Sequence, residues 1–132
     1  MKITADTNVL VRAITGDDRR QSLFAQAELA DADMIAVTIP TLCELSWVLS
    51  KGYKIAPTAV AEAIRRLATS VNVVVNRPAV DAGLALLDQG GDFADGAIAF
   101  EGRWMGGETF VSFDKKAVTL LERQGQAARL LA

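Results

Sequence analysis

MKITADTNVLVRAI, residues 1–14, joins a short apolar run to a helical pattern through a single carboxylate, Asp6. The residues before Asp6 are mostly apolar or small, as in a short buried strand. After it, the spacing of Val9, Ala13 and Ile14 allows their side chains to share one face of a helix. A strand that leads directly into a helix is the building unit of α/β domains. The stretch therefore predicts the fold class, and it places a charge where two buried elements meet.

The rest of the chain repeats this alternation. Continuous apolar runs typical of strands lie at residues 2–5, 34–38, 71–75 and 109–113, and the tail 128–132 can add a short edge strand. Helical patterns lie between them, at 8–15, 19–32, 40–51, 57–69, 78–89, 94–105 and 115–123. Continuous rather than alternating runs are expected of strands covered on both faces. The pattern predicts a three-layer α/β/α domain, with a central, mostly parallel sheet of about four to five strands flanked by helices.

The bulk properties indicate one soluble domain. A chain of 132 residues, half of them hydrophobic, is expected to fold as a single domain spanning residues 1–132. No apolar run reaches the roughly 18–20 residues that span a bilayer, and the N-terminus lacks the pattern of an export signal. The single cysteine, Cys43, cannot form an internal disulfide, which fits a reducing compartment. We therefore expect a cytoplasmic protein without a membrane partner.

The absence of histidine restricts the chemistry. Nucleophilic systems that pair Ser or Cys with His are excluded, and one Cys without His cannot supply the usual ligands of zinc. The net charge of −2 at pH 7 argues mildly against a nucleic-acid partner, because proteins that bind phosphates are usually basic. Any catalysis must rest on carboxylate, hydroxyl, Lys or Arg side chains.

Four of the 16 acidic residues lie in apolar surroundings, where carboxylates are rare. Asp6 and Asp114 each follow a predicted strand. Glu44 is the only charge in a helical pattern that is apolar nearly all round, so we expect it to be partly buried. Asp95 lies among small and apolar residues. Their isolation marks these four as candidates for function.

Each of the four also has a purely structural explanation. These alternatives are helix N-caps at Asp6 and Asp114, a capping box of Thr41 with Glu44, and a cap with a first-turn acid at Asp92 and Asp95. Taken together, however, carboxylates that converge at the carboxyl ends of strands occupy the usual ligand site of an open sheet. At ~5 Å they repel by about 3 kcal/mol per pair at an effective dielectric of about 20. Raised pKa values or a cation must compensate, and oxygen ligands alone favour Mg²⁺ or Mn²⁺.

In these residues the chain resembles PIN-domain ribonucleases, and more narrowly the VapC-type toxins of bacterial and archaeal toxin–antitoxin pairs. The matching stretches are DTNVLVRAI at 6–14, CEL at 43–45, DFADGAIA at 92–99 and TFVSFDKKA at 109–117. They occur in the order and spacing of the family, and the resemblance covers nearly the whole chain. One departure is Gly96, where many relatives carry a larger residue. Since Gly costs about 1 kcal/mol relative to Ala within a helix, a slightly looser helix is expected there.

The resemblance implies a metal-dependent endoribonuclease toxin that hydrolyses RNA phosphodiester bonds with Mg²⁺ or Mn²⁺. It also implies a homodimer that a VapB-like antitoxin neutralises by entering the acidic cleft. The implied catalytic and metal-binding residues are Asp6, Glu44, Asp95 and Asp114. The implied supporting residues are Thr7, Asn8 and Ser112, which orient carboxylates through hydrogen bonds, and Asp92, as an outer partner or a cap. A bound cation would reverse the local charge, which removes the objection raised by the net charge.

Several cations are candidate contacts to RNA phosphates or to the antitoxin. Arg12 and Lys115 are the first of these, and the others are Lys51, Lys54, Arg103 and Lys116. Trp47 and Trp104 lie in apolar helical patterns, and we expect them in the core or in a dimer interface rather than stacked on bases.

Two other classes of Mg²⁺-binding protein remain as alternatives. A phosphatase of the haloacid-dehalogenase type needs a second Asp two positions after the first, where this chain has Asn8. A receiver-type signalling domain needs an Asp at the end of a middle strand, where Ile39 and Asn76 follow the predicted strands. A degenerate PIN domain kept for protein binding is a third alternative, against which the presence of all four carboxylates argues.

Overall fold

The computed structural model describes residues 1–132. It contains seven α-helices, one π-helical turn and five short strands, all paired in parallel. This alternation confirms the predicted α/β class. The chain divides into two compact units, Met1–Asn76 and Arg77–Ala132. The assignment of residues 1–132 to one domain stays a prediction. No helix combines the length and the apolar character needed to cross a membrane.

The first unit is built on a three-stranded parallel sheet. Its elements are β1 (Lys2–Thr4), α1 (Thr7–Thr15), α2 (Arg19–Asp31), β2 (Met34–Ala36), α3 (Ile39–Trp47), a π-helical turn (Val48–Gly52), α4 (Pro57–Thr69) and β3 (Val73–Val74). The strand order is β1-β2-β3, with Ile3 opposite Ile35 and Ile35 opposite Val73. Because the strands are parallel, the chain leaves β1 and β2 at the same edge of the sheet and enters α1 and α3 there.

The second unit combines three helices with a two-stranded parallel sheet. Its elements are α5 (Arg77–Asp88), α6 (Phe93–Trp104), β4 (Phe110–Ser112), α7 (Lys115–Arg123) and β5 (Ala128–Leu130). β4 and β5 pair with Phe110 opposite Ala128, so the predicted tail strand is present. Side chains of α5, α6 and α7 form its core, with Phe110 and Ala128 packed against them.

The strands pair in a group of three and a group of two, whereas the sequence predicted one central sheet. Each strand has only two or three residues, which offers few backbone groups for pairing. The predicted burial on both faces is also wrong for most of them. Ile35 in the middle strand is buried, but Val74 and Val111 are exposed.

The helix that follows Asp6 buries a different face from the one predicted. Thr7, Leu10 and Val11 are its buried residues, while Ile14 is exposed. Asp6 stands at the N-cap with extended backbone angles, and its side chain accepts a hydrogen bond from the Thr7 backbone N–H. The helix stops at Gly16, whose φ of 65° is the left-handed conformation that glycine adopts without steric cost. The face shifts because Thr7, Leu10 and Val11 recur at the spacing of three to four that defines a helix stripe.

α5 and α6 approach each other at two glycines. A Cβ atom at Gly96 would lie 2.4 Å from the Ala82 carbonyl oxygen, and one at Gly83 would lie 2.5 Å from the Phe93 ring. The two helices therefore interlock, with a glycine of each against a residue of the other. The expectation of a slightly looser helix at Gly96 stays a prediction. What the structure adds is a packing role for this glycine, since it permits a contact that any side chain would prevent.

Candidate metal centre

Three carboxylates meet in the second unit. One oxygen atom each from Asp92, Asp95 and Asp114 lies within 4.8 Å of the other two. Asp92 directly precedes α6, Asp95 lies in the first turn of that helix, and Asp114 lies between β4 and α7. Asp92 and Asp114 are exposed and Asp95 is half-buried. The structure thus brings together two residues of the predicted catalytic set and one residue predicted to support them.

Asp92 has a larger part in this cluster than the sequence indicated. It occupies the N-cap position of α6, but its side chain makes no capping hydrogen bond. Its carboxylate is instead directed to the other two. The spacing Asp92-x-x-Asp95 carried a usable signal, because positions three apart lie on the same side of a helix. Asp95 is fixed in turn by the close packing of α6 at Gly96.

Asp114 combines a structural and a potential ligand role. Its Oδ1 accepts hydrogen bonds from the backbone N–H groups of Lys116, at 3.0 Å, and Ala117, at 3.1 Å. The N-cap explanation of Asp114 is therefore confirmed. The Ser112 hydroxyl accepts a hydrogen bond from the Asp114 backbone N–H at 2.9 Å, so Ser112 positions the backbone of Asp114 rather than its carboxylate. Both capping bonds end on Oδ1, which leaves Oδ2 for another partner.

The cluster is electrostatically strained without a cation. Burial is the main cause that raises the pKa of Asp95 above its ordinary value of 3.8, and the charges of Asp92 and Asp114 add to the effect. Like charges disfavour ionisation, whereas a bound cation favours it. At neutral pH the three carboxylates are therefore better accommodated around a cation than alone.

Asp6 and Glu44 belong to the first unit. Asp6 is exposed beyond the carboxyl end of β1, and its Oδ1 lies 2.8 Å from the Thr7 backbone nitrogen. Glu44 lies in the middle of α3 and is exposed, so the prediction that it is partly buried is wrong. Trp47, three residues later, is 66% exposed as well, which shows that this apolar helix leaves one face uncovered. α3 begins after Thr38, whose hydroxyl accepts from the Thr41 N–H, and this start excludes the Thr41–Glu44 capping box.

The supporting residues of the first unit do not behave as the resemblance implied. The Thr7 hydroxyl is buried and makes no hydrogen bond, so it does not contact a carboxylate directly. It lies on the buried face of α1, which directs it away from solvent. Asn8 is exposed. Thr7 binds the Asp6 carboxylate through its backbone N–H and not through its side chain.

Arg12 is held in a polar network rather than presented freely. Its Nη1 donates to Asp17 at 3.0 Å and to the Tyr53 hydroxyl at 3.3 Å, and its Nε donates to Gln21 at 2.7 Å. The Tyr53 hydroxyl also donates to Asp17 at 2.6 Å. This bond is the main cause that lowers the pKa of Asp17, with Thr15 and Arg12 adding to it. A ligand that takes up Arg12 must therefore compete with an internal carboxylate.

Cations lie beside Asp114 on α7. Lys115, Lys116 and Arg123 line one shallow pocket together with Gln89, Thr119 and Leu120, and no carboxylate lines it. Arg123 was missed by the sequence analysis. The signal was present, since Lys115, Thr119 and Arg123 recur at intervals of four on one helix face. Of the other predicted contacts, Lys51 and Lys54 are exposed, and Arg103 donates a hydrogen bond to Gln126.

The donor set of the cluster suits a hard divalent cation. Three carboxylates offer oxygen atoms only, the ligand type preferred by Mg²⁺ and Mn²⁺. Opposite ligands of an octahedral Mg²⁺ are about 4.2 Å apart, close to the 4.8 Å within which these oxygen atoms lie. Asp92, Asp95 and Oδ2 of Asp114 could thus hold such an ion with little rearrangement.

The comparison with protein families agrees with this site. The model of the PIN domain matches residues 3–120, which includes all the carboxylates discussed above. PIN domains are generally metal-dependent nucleases, and thus hydrolases. No curated protein sequence matches the chain at a significant level. Since the family model covers most of the sequence, the chain belongs to the PIN domain family.

Proposed function

We propose that the protein is an endoribonuclease that depends on Mg²⁺ or Mn²⁺ and hydrolyses RNA phosphodiester bonds. The observation that carries this proposal is the meeting of Asp92, Asp95 and Asp114 within 4.8 Å. Burial, and after it the charges of Asp92 and Asp114, raises the pKa of Asp95, so ionisation of this cluster has a free-energy cost without a cation. Membership of the PIN family supplies the reaction class and sets aside the phosphatase and receiver-type alternatives.

The proposed roles of the carboxylates follow from their surroundings. Asp95 is half-buried and does not cap a helix, and we assign it as the central ligand of the cation. Asp92 and Asp114 bind the cation from the exposed side. The cap bonds on Oδ1 hold Asp114 in place while Oδ2 binds. Asp6 and Glu44 are proposed as further catalytic carboxylates on the strength of their sequence motifs. A divalent cation in such a site supplies a Lewis acid for hydrolysis of a phosphate ester.

The basic pocket on α7 supports a nucleic-acid substrate. Lys115, Lys116 and Arg123 place three positive charges on α7, the helix that Asp114 caps, in a protein whose net charge is −2. None of them forms an ion pair, so all three can bind phosphates. Contacts of this kind hold the nucleic-acid backbone in register without reading its sequence. We propose that they bind the strand next to the cleaved bond.

The cellular role proposed is that of a VapC-like toxin in the cytoplasm, active as a homodimer and neutralised by a VapB-like antitoxin. Four family-like stretches in register in a chain of 132 residues support this role. Trp104 and Trp47, predicted in the core or in an interface, are 80% and 66% exposed. Large exposed apolar side chains are typical of surfaces that bind another protein. Their exposure therefore favours the interface over the core.

RNA cleavage by single-charge variants tests the proposal. Asp6→Asn and Asp95→Asn should each abolish cleavage of single-stranded RNA in Mg²⁺ or Mn²⁺. Glu101→Gln is the matched control, because Glu101 is exposed on the same helix as Asp95 and lies outside the cluster. It should cleave like the natural protein. If cleavage survives both aspartate substitutions, the assignment of these carboxylates is wrong.

The salt dependence of RNA binding tests the basic pocket separately. Each phosphate contact contributes about 0.7 to the slope of log affinity against log salt concentration for single strands. The double variant Lys115→Gln, Arg123→Gln should therefore reduce this slope by about 1.4, without sequence preference. An unchanged slope would mean that RNA does not use this pocket, whatever the result for the carboxylates.

A further inference from the structure

A chain of hydrogen-bonded side-chain amides leads to the basic pocket on α7. It begins at Arg103, whose Nη1 donates to Oε1 of Gln126. Nε2 of Gln126 donates to Oε1 of Gln124 at 2.7 Å, and Nε2 of Gln124 donates to Oε1 of Gln89 at 3.3 Å. Gln89 ends the chain and is itself one of the residues that line the basic pocket.

The direction of this chain is fixed at Arg103. A guanidinium group has five N–H donors and no acceptor, so the end of the Gln126 amide that faces it must be the carbonyl oxygen. Each amide then presents its NH₂ group to the carbonyl oxygen of the next. The Oε1 of Gln89 is therefore occupied, whereas its Nε2 donates to no group of the protein. Both N–H bonds of this amide are available to a ligand in the pocket.

The basic pocket combines this amide with further donors and with no opposing charge. Lys115, Lys116 and Arg123 line it without an ion pair, the Thr119 hydroxyl can donate as well, and no carboxylate is present. Donors of this kind suit a phosphate group. A phosphate monoester offers three free oxygen atoms and about 1.5 to 2 negative charges, whereas a phosphodiester within a strand offers two oxygen atoms and one charge. So many donors therefore favour the monoester.

The turn before α6 connects the basic pocket to the acidic cluster. A Cβ atom at Gly90 would lie 4.0 Å from Nζ of Lys116, and Asp92 follows two residues after Gly90. The backbone N–H of Lys116 also binds Oδ1 of Asp114 at 3.0 Å. Lys116 thus contacts the segments that carry two of the three carboxylates. A phosphate in the pocket would lie a short distance along an RNA strand from the proposed cation.

We propose that the basic pocket binds the terminal phosphate monoester of an RNA strand, with Gln89 as a donor that Arg103 orients through Gln126 and Gln124. This inference rests on the proposed function, in which RNA is the substrate. A 5′ and a 3′ phosphate share this chemistry, and the test below tells the two ends apart. Hydrolysis of a phosphodiester leaves the phosphate on one fragment and a hydroxyl on the other. RNA that has been cut before can therefore carry the end that this pocket recognises.

The test compares three single-stranded RNA oligonucleotides of one sequence, each with a fluorescent label inside the strand. One carries a 5′ phosphate, one a 3′ phosphate, and one a hydroxyl at both ends. Fluorescence anisotropy without divalent cations gives their Kd values while the proposed metal centre is inactive. The natural protein should bind one of the phosphorylated strands at least about 10-fold more tightly than the hydroxyl-ended strand, the usual effect of one hydrogen bond to a charged group.

Three variants locate the preference. Gln89→Glu keeps the oxygen that accepts from Gln124 and replaces the free amide by a negative charge, so it should bind phosphorylated and hydroxyl-ended strands alike. Arg103→Met removes the donor that sets the direction of the amide chain and should reduce the preference. Ala85→Glu is the matched control, because Ala85 is exposed on α5 about one turn before Gln89 and does not line the pocket. It adds the same charge and should keep the preference.

Two results would overturn the inference. Equal affinity of the natural protein for all three strands would mean that the pocket follows the strand without recognising its end. A preference that survives in Gln89→Glu would mean that the terminal phosphate binds elsewhere. If the full preference survives in Arg103→Met, the amide chain does not orient Gln89 and that step of the inference is wrong.

Cleavage of the hydroxyl-ended strand in Mg²⁺ judges the proposed function separately. If the natural protein cleaves this strand but binds all three alike, only the recognition of a terminal phosphate fails. If no strand is cleaved while Gln89 still determines the preference, the proposed nuclease activity fails and the pocket remains a binding site for a terminal phosphate.

Discussion

Replacing Gly96 by alanine probes the contact that positions Asp95. The new Cβ would lie 2.4 Å from the Ala82 carbonyl oxygen, and 3.0 Å from the Gly83 Cα. Both are backbone atoms, so neither can rotate away and the two helices must separate. Overpacking of this kind costs about 1–3 kcal/mol, and a rigid backbone contact belongs at the upper end. Alanine regains about 1 kcal/mol of helix propensity. The net effect expected is a loss of about 1–2 kcal/mol in the free energy of unfolding.

Gly102 provides the matched control. It lies in the same helix, α6, and a Cβ there would meet no atom within 4 Å. Gly102→Ala should therefore show the propensity gain alone, about 1 kcal/mol at most. For a domain of this size 1 kcal/mol shifts Tm by about 3–5 °C. Differential scanning calorimetry of the metal-free protein should give a fall of about 3–10 °C for Gly96→Ala and a rise of up to about 5 °C for Gly102→Ala. If both variants rise together, α5 and α6 do not approach as described.

Two further predictions concern the acidic cluster. Because the pKa of Asp95 is raised in the folded protein, the folded state holds this proton more tightly than the unfolded state. The contribution of Asp95 to the stability of the metal-free protein is therefore present below pH 3.8 and is lost as the pH rises through the raised pKa. In urea denaturation of the metal-free proteins, the free energy of unfolding of Asp95→Asn should equal that of the natural protein near pH 3.8 and exceed it toward neutral pH. A difference in this free energy that stays constant with pH would contradict the prediction. Asp92→Ala should not lower metal-free stability, since its side chain makes no capping bond. Asp18→Ala, which removes a bond of 3.0 Å to the Gln21 N–H, should cost about 1 kcal/mol in the same assay; equal losses would show that Asp92 also caps.

The order and type of the elements follow closely from the sequence. All seven helical patterns and all five strand runs, including the tail at 128–132, correspond to observed elements. The reason is local, since the period of the apolar residues and the glycines at helix ends depend only on neighbours in the chain. The N-cap at Asp114 was foreseeable for the same reason.

The parts that depend on contacts between distant residues were not foreseeable. Glu44 is exposed although its helix is apolar, because which helix faces are covered depends on packing. Gly96 was expected to loosen α6 slightly, and its contact with Ala82 left no signal in the neighbouring sequence. Asp92 appeared to be a cap, yet its carboxylate joins two others, one of them from beyond β4. Sequence spacing identifies candidate ligands, but only the folded chain shows which of them share a site.

Binding of Mn²⁺ to the Asp95→Asn variant tests the central claim, that Asp92, Asp95 and Asp114 form a cation site. The natural protein and Glu101→Gln should bind Mn²⁺ alike in calorimetric titration, and both should gain thermal stability with increasing Mn²⁺ concentration. Asp95→Asn should bind Mn²⁺ at least about 10-fold more weakly. It should also lose the gain in thermal stability that Mn²⁺ gives the natural protein. If Asp95→Asn binds Mn²⁺ as tightly as the natural protein, these carboxylates are not the metal centre.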